Sequence, residues 1–89
     1  MQPEKTVGPA SDTRELTYGE KAVGLTFNPS NHPTVEEVKV LYAKIIDICN
    51  SALNTGGEMY PETIRLYKIA ITEAQTAQMW AVKAITWKN

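Results

Sequence analysis

A short loop carries most of the side chains with which this chain could bind a ligand. Thr26, Asn28 and Ser30 offer small neutral hydrogen-bonding groups, and Phe27 offers a flat ring on which a base could stack. The loop precedes a helix start, where backbone N–H groups can receive phosphate oxygens. Lys21 lies one short helix upstream. The pattern is compatible with a phosphate-bearing planar ligand, and the same residue types also build ordinary structural turns.

A second candidate group lies in the last third of the chain, where Arg65 and Lys68 are three residues apart. On a helix this spacing puts both cations on one face, where they could clamp a phosphate or form a solvated surface. Catalysis has less support, because the only histidine, His32, has no partner pattern around it and the only cysteine, Cys49, lies in an apolar stretch. We expect no catalytic residue, no metal and no cofactor.

The composition predicts one small domain. An 89-residue chain buries only about 60–65% of its unfolded surface when it folds alone, so its stability is marginal. Nine Lys and Arg against ten Asp and Glu provide no basic block for duplex DNA. No apolar run reaches the roughly 20 residues of a membrane span, and the N-terminus lacks the apolar segment of a secretory signal. We therefore expect a cytoplasmic protein with a flexible tail at residues 1–12 and a single helical domain at residues 13–89.

The first helix is predicted within Thr13–Leu25, with Gly24 weakening its end. Residues Thr26–Pro33 are rich in turn formers, and we expect Phe27 to anchor them as a structured loop.

A second helix is predicted at Thr34–Leu53, with Thr34 and Glu37 at the spacing of a capping box. Its apolar residues recur near a 3.5-residue period, which is typical of helix pairing. These apolar residues are Val35, Val38, Leu41, Ile45, Ile48 and Ala52. The residues expected largely on its solvated side are Lys39, Lys44 and Asp47.

The last helix is predicted at Pro61–Trp87, and it is apolar on two sides. The first stripe, whose spacing alternates three and four, comprises Ile64, Tyr67, Ile71, Ala74, Gln78, Ala81 and Ile85. The second stripe comprises Leu66, Ala70, Ala77, Trp80, Ala84 and Trp87. One helix of the same chain can cover the first stripe, so we expect another copy of the chain to cover the second. Gln78 lies within the first stripe, where a buried amide must find a partner and can determine helix register.

The predicted fold is therefore all-α, with a short N-terminal helix and a long antiparallel helical hairpin that assembles as a homo-oligomer. Asn54–Gly57 ends the second helix and leaves a short connection, which favours an antiparallel arrangement.

Two long motifs resemble a known phage family. They are EKAVGLTFNPS at residues 20–30, and AIT at 70–72 followed by AQMWAVKA at 77–84, with TW closing at 86–87. The family is the anti-CBASS cyclic-oligonucleotide sponge, which is related to the helical hairpin of a Thoeris anti-defence protein. The resemblance covers about residues 16–87.

This resemblance implies a compact homohexamer with pockets between subunits, acting in the cytoplasm of the infected bacterial host. It implies capture of cyclic di- and trinucleotides such as cyclic GMP–AMP without cleavage, so that the CBASS effector lacks its activator. By position, the implied ligand contacts are Lys21, Thr26, Phe27, Asn28, Pro29 and Ser30, with Arg65 and Lys68 at a neighbouring site. The competing interpretation is a structural or adaptor oligomerisation module of a phage.

Overall fold

Three α-helices make up the regular structure of residues 14–88, the part of the chain that this computed structural model describes. Helix α1 spans Tyr18–Val23, α2 spans Pro33–Thr55 and α3 spans Pro61–Thr86. The long helices α2 and α3 pack against each other, and α1 packs mainly on α2. This arrangement confirms the all-helical prediction of a short helix followed by a hairpin. The tail predicted at residues 1–12 lies outside the described residues.

Helix α1 is shorter than predicted because both of its ends are capped. At its N-terminus, Thr17 and Glu20 form a capping box, in which each side chain accepts a hydrogen bond from the backbone N–H of the other. At its C-terminus, Gly24 adopts a left-handed conformation with φ of 65° and donates to the carbonyl of Lys21. The N–H of Leu25 then donates to the carbonyl of Glu20. Gly24 therefore ends the helix, as the sequence indicated.

The close contact between α1 and α2 depends on Gly19. A Cβ atom at this position would lie 2.1 Å from the carbonyl oxygen of Ala43, so a side chain would separate the two helices. The N–H of Gly19 donates to the Asp47 carboxylate at 2.7 Å. This bond gives Asp47 a structural role in place of the largely solvated position predicted for it.

The start of α2 differs from the predicted capping box. Pro33 occupies the first turn, where its missing N–H costs nothing, and the helix therefore begins before Thr34. The N-cap is His32, whose Nδ1 accepts a hydrogen bond from the N–H of Thr34 at 3.2 Å. The prediction of Thr34 as N-cap was wrong.

The buried face of α2 also differs from the predicted stripe. Val35, Lys39, Ala43 and Ile46 are buried, whereas Leu41, Ile45 and Ile48 are about half or more exposed. The physical reason is that α1 must approach α2 closely at the small residue Ala43, and this contact orients the helix. The prediction that Lys39 faces solvent was therefore wrong, while Lys44 is exposed as expected.

Helix α3 confirms its predicted extent and its two sides. Ile71, Ala74 and Gln78 of the first stripe are buried against the rest of the chain. On the second stripe, Trp80 and Trp87 remain 64% and 60% exposed. Among the described residues, these side chains of the stripe that the sequence assigned to another copy are therefore largely exposed.

We expect acid to weaken the attachment of α1 through Glu20. The Arg14 guanidinium, 2.7 Å from the Glu20 carboxylate, holds the pKa of that carboxyl below its usual 4.5. The unfolded chain therefore binds the proton more readily, and the stabilisation is present above pH 4.5 and lost as pH falls through the folded-state pKa. Thermal melting should show the wild type more stable than Glu20→Gln at pH 6, with the difference closing below pH 4.5.

The matched control is Glu62→Gln. Glu62 pairs with Arg65 at 2.6 Å, but both side chains are 61% exposed, so solvent screens the pair. A pH-dependent difference at Glu62 as large as that at Glu20 would contradict this account.

Candidate ligand-binding groove

A buried lysine holds the loop between α1 and α2. The Lys39 ammonium donates to the carbonyl oxygen of Gly24 at 2.9 Å and to that of Phe27. It also lies 5.6 Å from the centre of the Phe27 ring, within the range of a cation–π contact. Burial lowers the pKa of Lys39, and these three contacts offset part of the cost of burying its charge.

Leu25 is buried, and Phe27 joins the loop to α2 through its carbonyl and through the contact of its ring with Lys39. Phe27 is 71% exposed. The contacts of Phe27 with Lys39 agree with the predicted anchoring of the loop, although the residue is not buried, and its exposed surface leaves the ring open to stacking by a ligand.

The remaining polar side chains of the loop bond largely to one another. Ser30 donates to Asn28 Oδ1 at 2.8 Å, and Asn28 Nδ2 donates to the carbonyl of His32. Ser30 Oγ also accepts from the N–H of His32, and Asn31 adopts a positive φ of 55°. These bonds form the turn that brings the chain from Gly24 into α2.

The loop faces α3 across a groove of about 540 Å³, which we call the loop groove. A volume of this size lies within the range of small-molecule sites. Its lining residues on the α1, loop and α2 side are Lys21, Ala22, Val23, Gly24, Phe27 and Lys39. Those on α3 are Thr72, Gln75, Thr76, Gln78, Met79 and Val82. The groove combines a flat aromatic ring and two ammonium groups with neutral hydroxyl and amide groups.

The structure thus brings Lys21 and Phe27 into one groove and leaves the other predicted residues elsewhere. Thr26, Pro29 and Ser30 are exposed and Asn28 is half-buried, and the four lie outside the lining of the loop groove. Arg65 and Lys68 line a shallow depression of about 270 Å³ on α3. Arg65 already pairs with Glu62, which raises the pKa of Arg65 and lowers that of Glu62.

Lys68 also lines a second groove of about 560 Å³ near the connected ends of the hairpin. Tyr18, Asn50 and Asn54 supply its polar groups from α1 and α2. Thr72 and Gln75 line both this groove and the loop groove, so the two sites are neighbours on α3.

Comparison with known protein families identifies the family of this chain. The family model described as Acb2/Tad1, hairpin domain, matches residues 20–86, which is more than half of the chain. The chain belongs to the Acb2/Tad1 hairpin-domain family. This match confirms the resemblance drawn from the sequence motifs. No curated protein and no solved structure matches the chain at a significant level.

The match to the Acb2/Tad1 hairpin domain includes the whole of both grooves except Tyr18. Within residues 14–88, no helix is long and apolar enough to cross a membrane. The same residues contain no group of three or more His, Cys, Asp or Glu side chains placed to hold a metal ion.

Sequence reasoning missed Lys39 as a member of this hairpin-domain groove. The signal was its position: Val35, Lys39 and Ala43 follow one another at intervals of four, and so share one side of α2. The more apolar stripe through Leu41 concealed it, because periodicity alone does not show which of two stripes the other helices cover.

We expect Lys39→Met to loosen the loop, because the variant keeps a long apolar side chain but leaves the Gly24 and Phe27 carbonyls without their donor. The free energy of unfolding should fall by about 1–2 kcal/mol, the cost of losing hydrogen bonds from a charged group less the relief of its burial. Chemical denaturation measures this change. Amide hydrogen exchange should also quicken at Phe27, whose N–H donates to the carbonyl of Gly24 at 2.9 Å.

The control is Lys44→Met, which changes an exposed lysine of the same helix. If both variants exchange their loop amides at the wild-type rate, Lys39 does not hold the loop.

Proposed function

We propose that this chain is a phage anti-defence protein that binds and sequesters bacterial cyclic di- and trinucleotide second messengers without cleaving them. In the cytoplasm of an infected bacterium, it would withhold the activator from the CBASS effector. Membership of the Acb2/Tad1 hairpin-domain family supports the anti-defence role. The observation that carries the proposal is the loop groove, in which the exposed Phe27 ring lies beside cationic groups.

The chemistry of the loop groove suits a cyclic nucleotide. A base can stack on the open face of Phe27, an interaction that accepts any base because each has a π-face. Lys21 is exposed and can meet a phosphate, while Lys39 holds the backbone carbonyl of Phe27 and lies 5.6 Å from the centre of its ring. The residues that line the groove include these two lysines and no carboxylate, so the local charge favours an anion although the chain carries a net charge of −1.

Sequestration without cleavage is supported by the positions of the reactive side chains. His32 caps α2, where its Nδ1 accepts from the N–H of Thr34. Cys49 packs against the core of the hairpin. Neither residue lines the loop groove, and we propose that the protein is not an enzyme.

We further propose that the protein assembles as a homohexamer. Trp80, Trp87 and Leu66 are exposed on the second stripe of α3, and Leu41, Ile45 and Ile48 are exposed on α2. Exposed apolar area of this kind marks an interaction surface in a small protein. A second copy would cover it, and a pocket formed between copies could complete each groove.

A structural or adaptor module is the second candidate. The same exposed apolar stripes favour this second candidate, because self-association alone would bury them and no ligand would be needed. Binding of a cyclic nucleotide separates the two candidates.

The central test is calorimetric titration of Phe27→Ala with cyclic GMP–AMP. Loss of a stacked base should weaken binding by roughly ten- to a hundredfold, since such stacking contributes about 1–3 kcal/mol. The free energy of unfolding without ligand should change by less than about 1 kcal/mol, as for other surface substitutions. Chromatography after heat denaturation of the wild-type complex should recover the cyclic dinucleotide unchanged.

Tyr60→Ala is the matched control, because Tyr60 is an exposed aromatic outside the loop groove. It should bind as the wild type does. A wild-type protein that binds no cyclic nucleotide would reject the sponge proposal, and linear dinucleotide accumulating with time would show an enzyme.

Assembly is tested by Trp80→Glu. A carboxylate placed in a desolvated subunit contact without a partner should dissociate the oligomer. Sedimentation equilibrium at micromolar concentration should then give a mass near the 9.9 kDa of one chain. Tyr60→Glu serves as the control for an added surface charge. A wild-type protein that sediments as a monomer would refute the assembly proposal.

A further inference from the structure

One of the polar side chains that line the loop groove is buried. Gln78 lies on α3 within the first apolar stripe and is only 5% exposed. Its amide can offer two donors and an acceptor. Within residues 14–88 that amide makes no hydrogen bond, although Gln78 contributes to the lining of the loop groove.

Such a group is costly in the ligand-free chain. A buried amide without a partner loses its hydrogen bonds to water and gains none in return, which costs stability. An apolar side chain of similar length would avoid this cost at the same place. The position of Gln78 in the groove therefore calls for an explanation outside the folded protomer.

Its neighbours indicate what that explanation is. Gln78 lines the same groove as Lys21 and Phe27, which suit a phosphate and the face of a base. Stacking on Phe27 accepts any base, so it provides affinity without selectivity. A primary amide presents a donor and an acceptor side by side, and this pair is complementary to the amino group and ring nitrogen of adenine.

We propose that Gln78 is a specificity-determining residue whose side-chain amide pairs with the edge of an adenine bound in the loop groove. This assignment rests on the proposed function, because it assumes that a cyclic nucleotide occupies the groove. The Gln78 contact makes adenine the preferred base of the ligand, whereas stacking on Phe27 and contacts with the phosphate do not select a base.

The alternative role for Gln78 is to determine register by pairing with a polar group of another copy. The register role and base recognition predict different effects when Gln78 is replaced. A register residue affects the mass of the oligomer when it is replaced, whereas a base-reading residue affects affinity at constant mass.

The test compares wild type, Gln78→Met and Gln78→Leu by calorimetric titration with cyclic di-AMP. It also uses the analogue in which unsubstituted purine replaces each adenine, so that only the amino group is lost. The wild type should bind the analogue on the order of tenfold more weakly, the effect of one hydrogen bond. Both variants should bind cyclic di-AMP about tenfold more weakly than the wild type and should distinguish the two ligands by less than about twofold.

Ligand-free melting and sedimentation complete the experiment. The proposal expects the melting temperature of Gln78→Met to equal or exceed that of the wild type, because an unpartnered amide has been removed. The mass should not change. Gln78→Leu provides a second apolar replacement in case one variant packs poorly.

Unchanged affinity for cyclic di-AMP in a folded variant would overturn the assignment of Gln78 while leaving the sponge intact. Loss of affinity together with a change of mass would also overturn it in favour of register. A wild type that binds neither ligand would instead reject the proposed function.

Discussion

The hydrogen bonds from the buried Lys39 ammonium to the carbonyls of Gly24 and Phe27 are the interaction on which the loop groove depends. They join α2 to the last turn of α1 and to the loop that follows, two segments too short to be stable alone. The two carbonyls and the Phe27 ring contact the ammonium, so a side chain that is normally solvated is buried beside the groove. The consequence is an aromatic ring that is held at its backbone and open on its face.

The attachment of α1 to α2 also depends on a close contact with the backbone. Gly19 lets the backbone of α1 reach the carbonyl of Ala43, and Asp47 receives the Gly19 N–H. A side chain at position 19 would prevent this approach. The close approach also determines which side of α2 is inside, and the larger residues Leu41, Ile45 and Ile48 consequently face outward.

The chain therefore uses its few apolar residues for two purposes. One set, including Ile46, Ile71 and Ala74, forms a small core within the hairpin. The other remains on the outer sides of α2 and α3, where Lys83 lies 5.5 Å from the ring of Trp80 and 5.9 Å from that of Trp87. A small domain has too little interior to bury both sets, and self-assembly is the physical outcome that we propose for the second.

The sequence by itself determined the helical class, the extent of α3 and its covered and uncovered stripes, because helical periodicity and the breakers around Gly56 and Pro61 are local properties. It also indicated Lys21 and Phe27 as candidate ligand contacts through residue chemistry and family motifs. Only the tertiary structure decided that Lys39 is buried, that His32 caps α2 and that Gln78 lines the loop groove. These depend on how α1 and α3 orient against α2. The stripe of α2 through Leu41 is the more apolar one, and the packing of α1 and α3, with the close contact at Gly19, turns the other stripe inward.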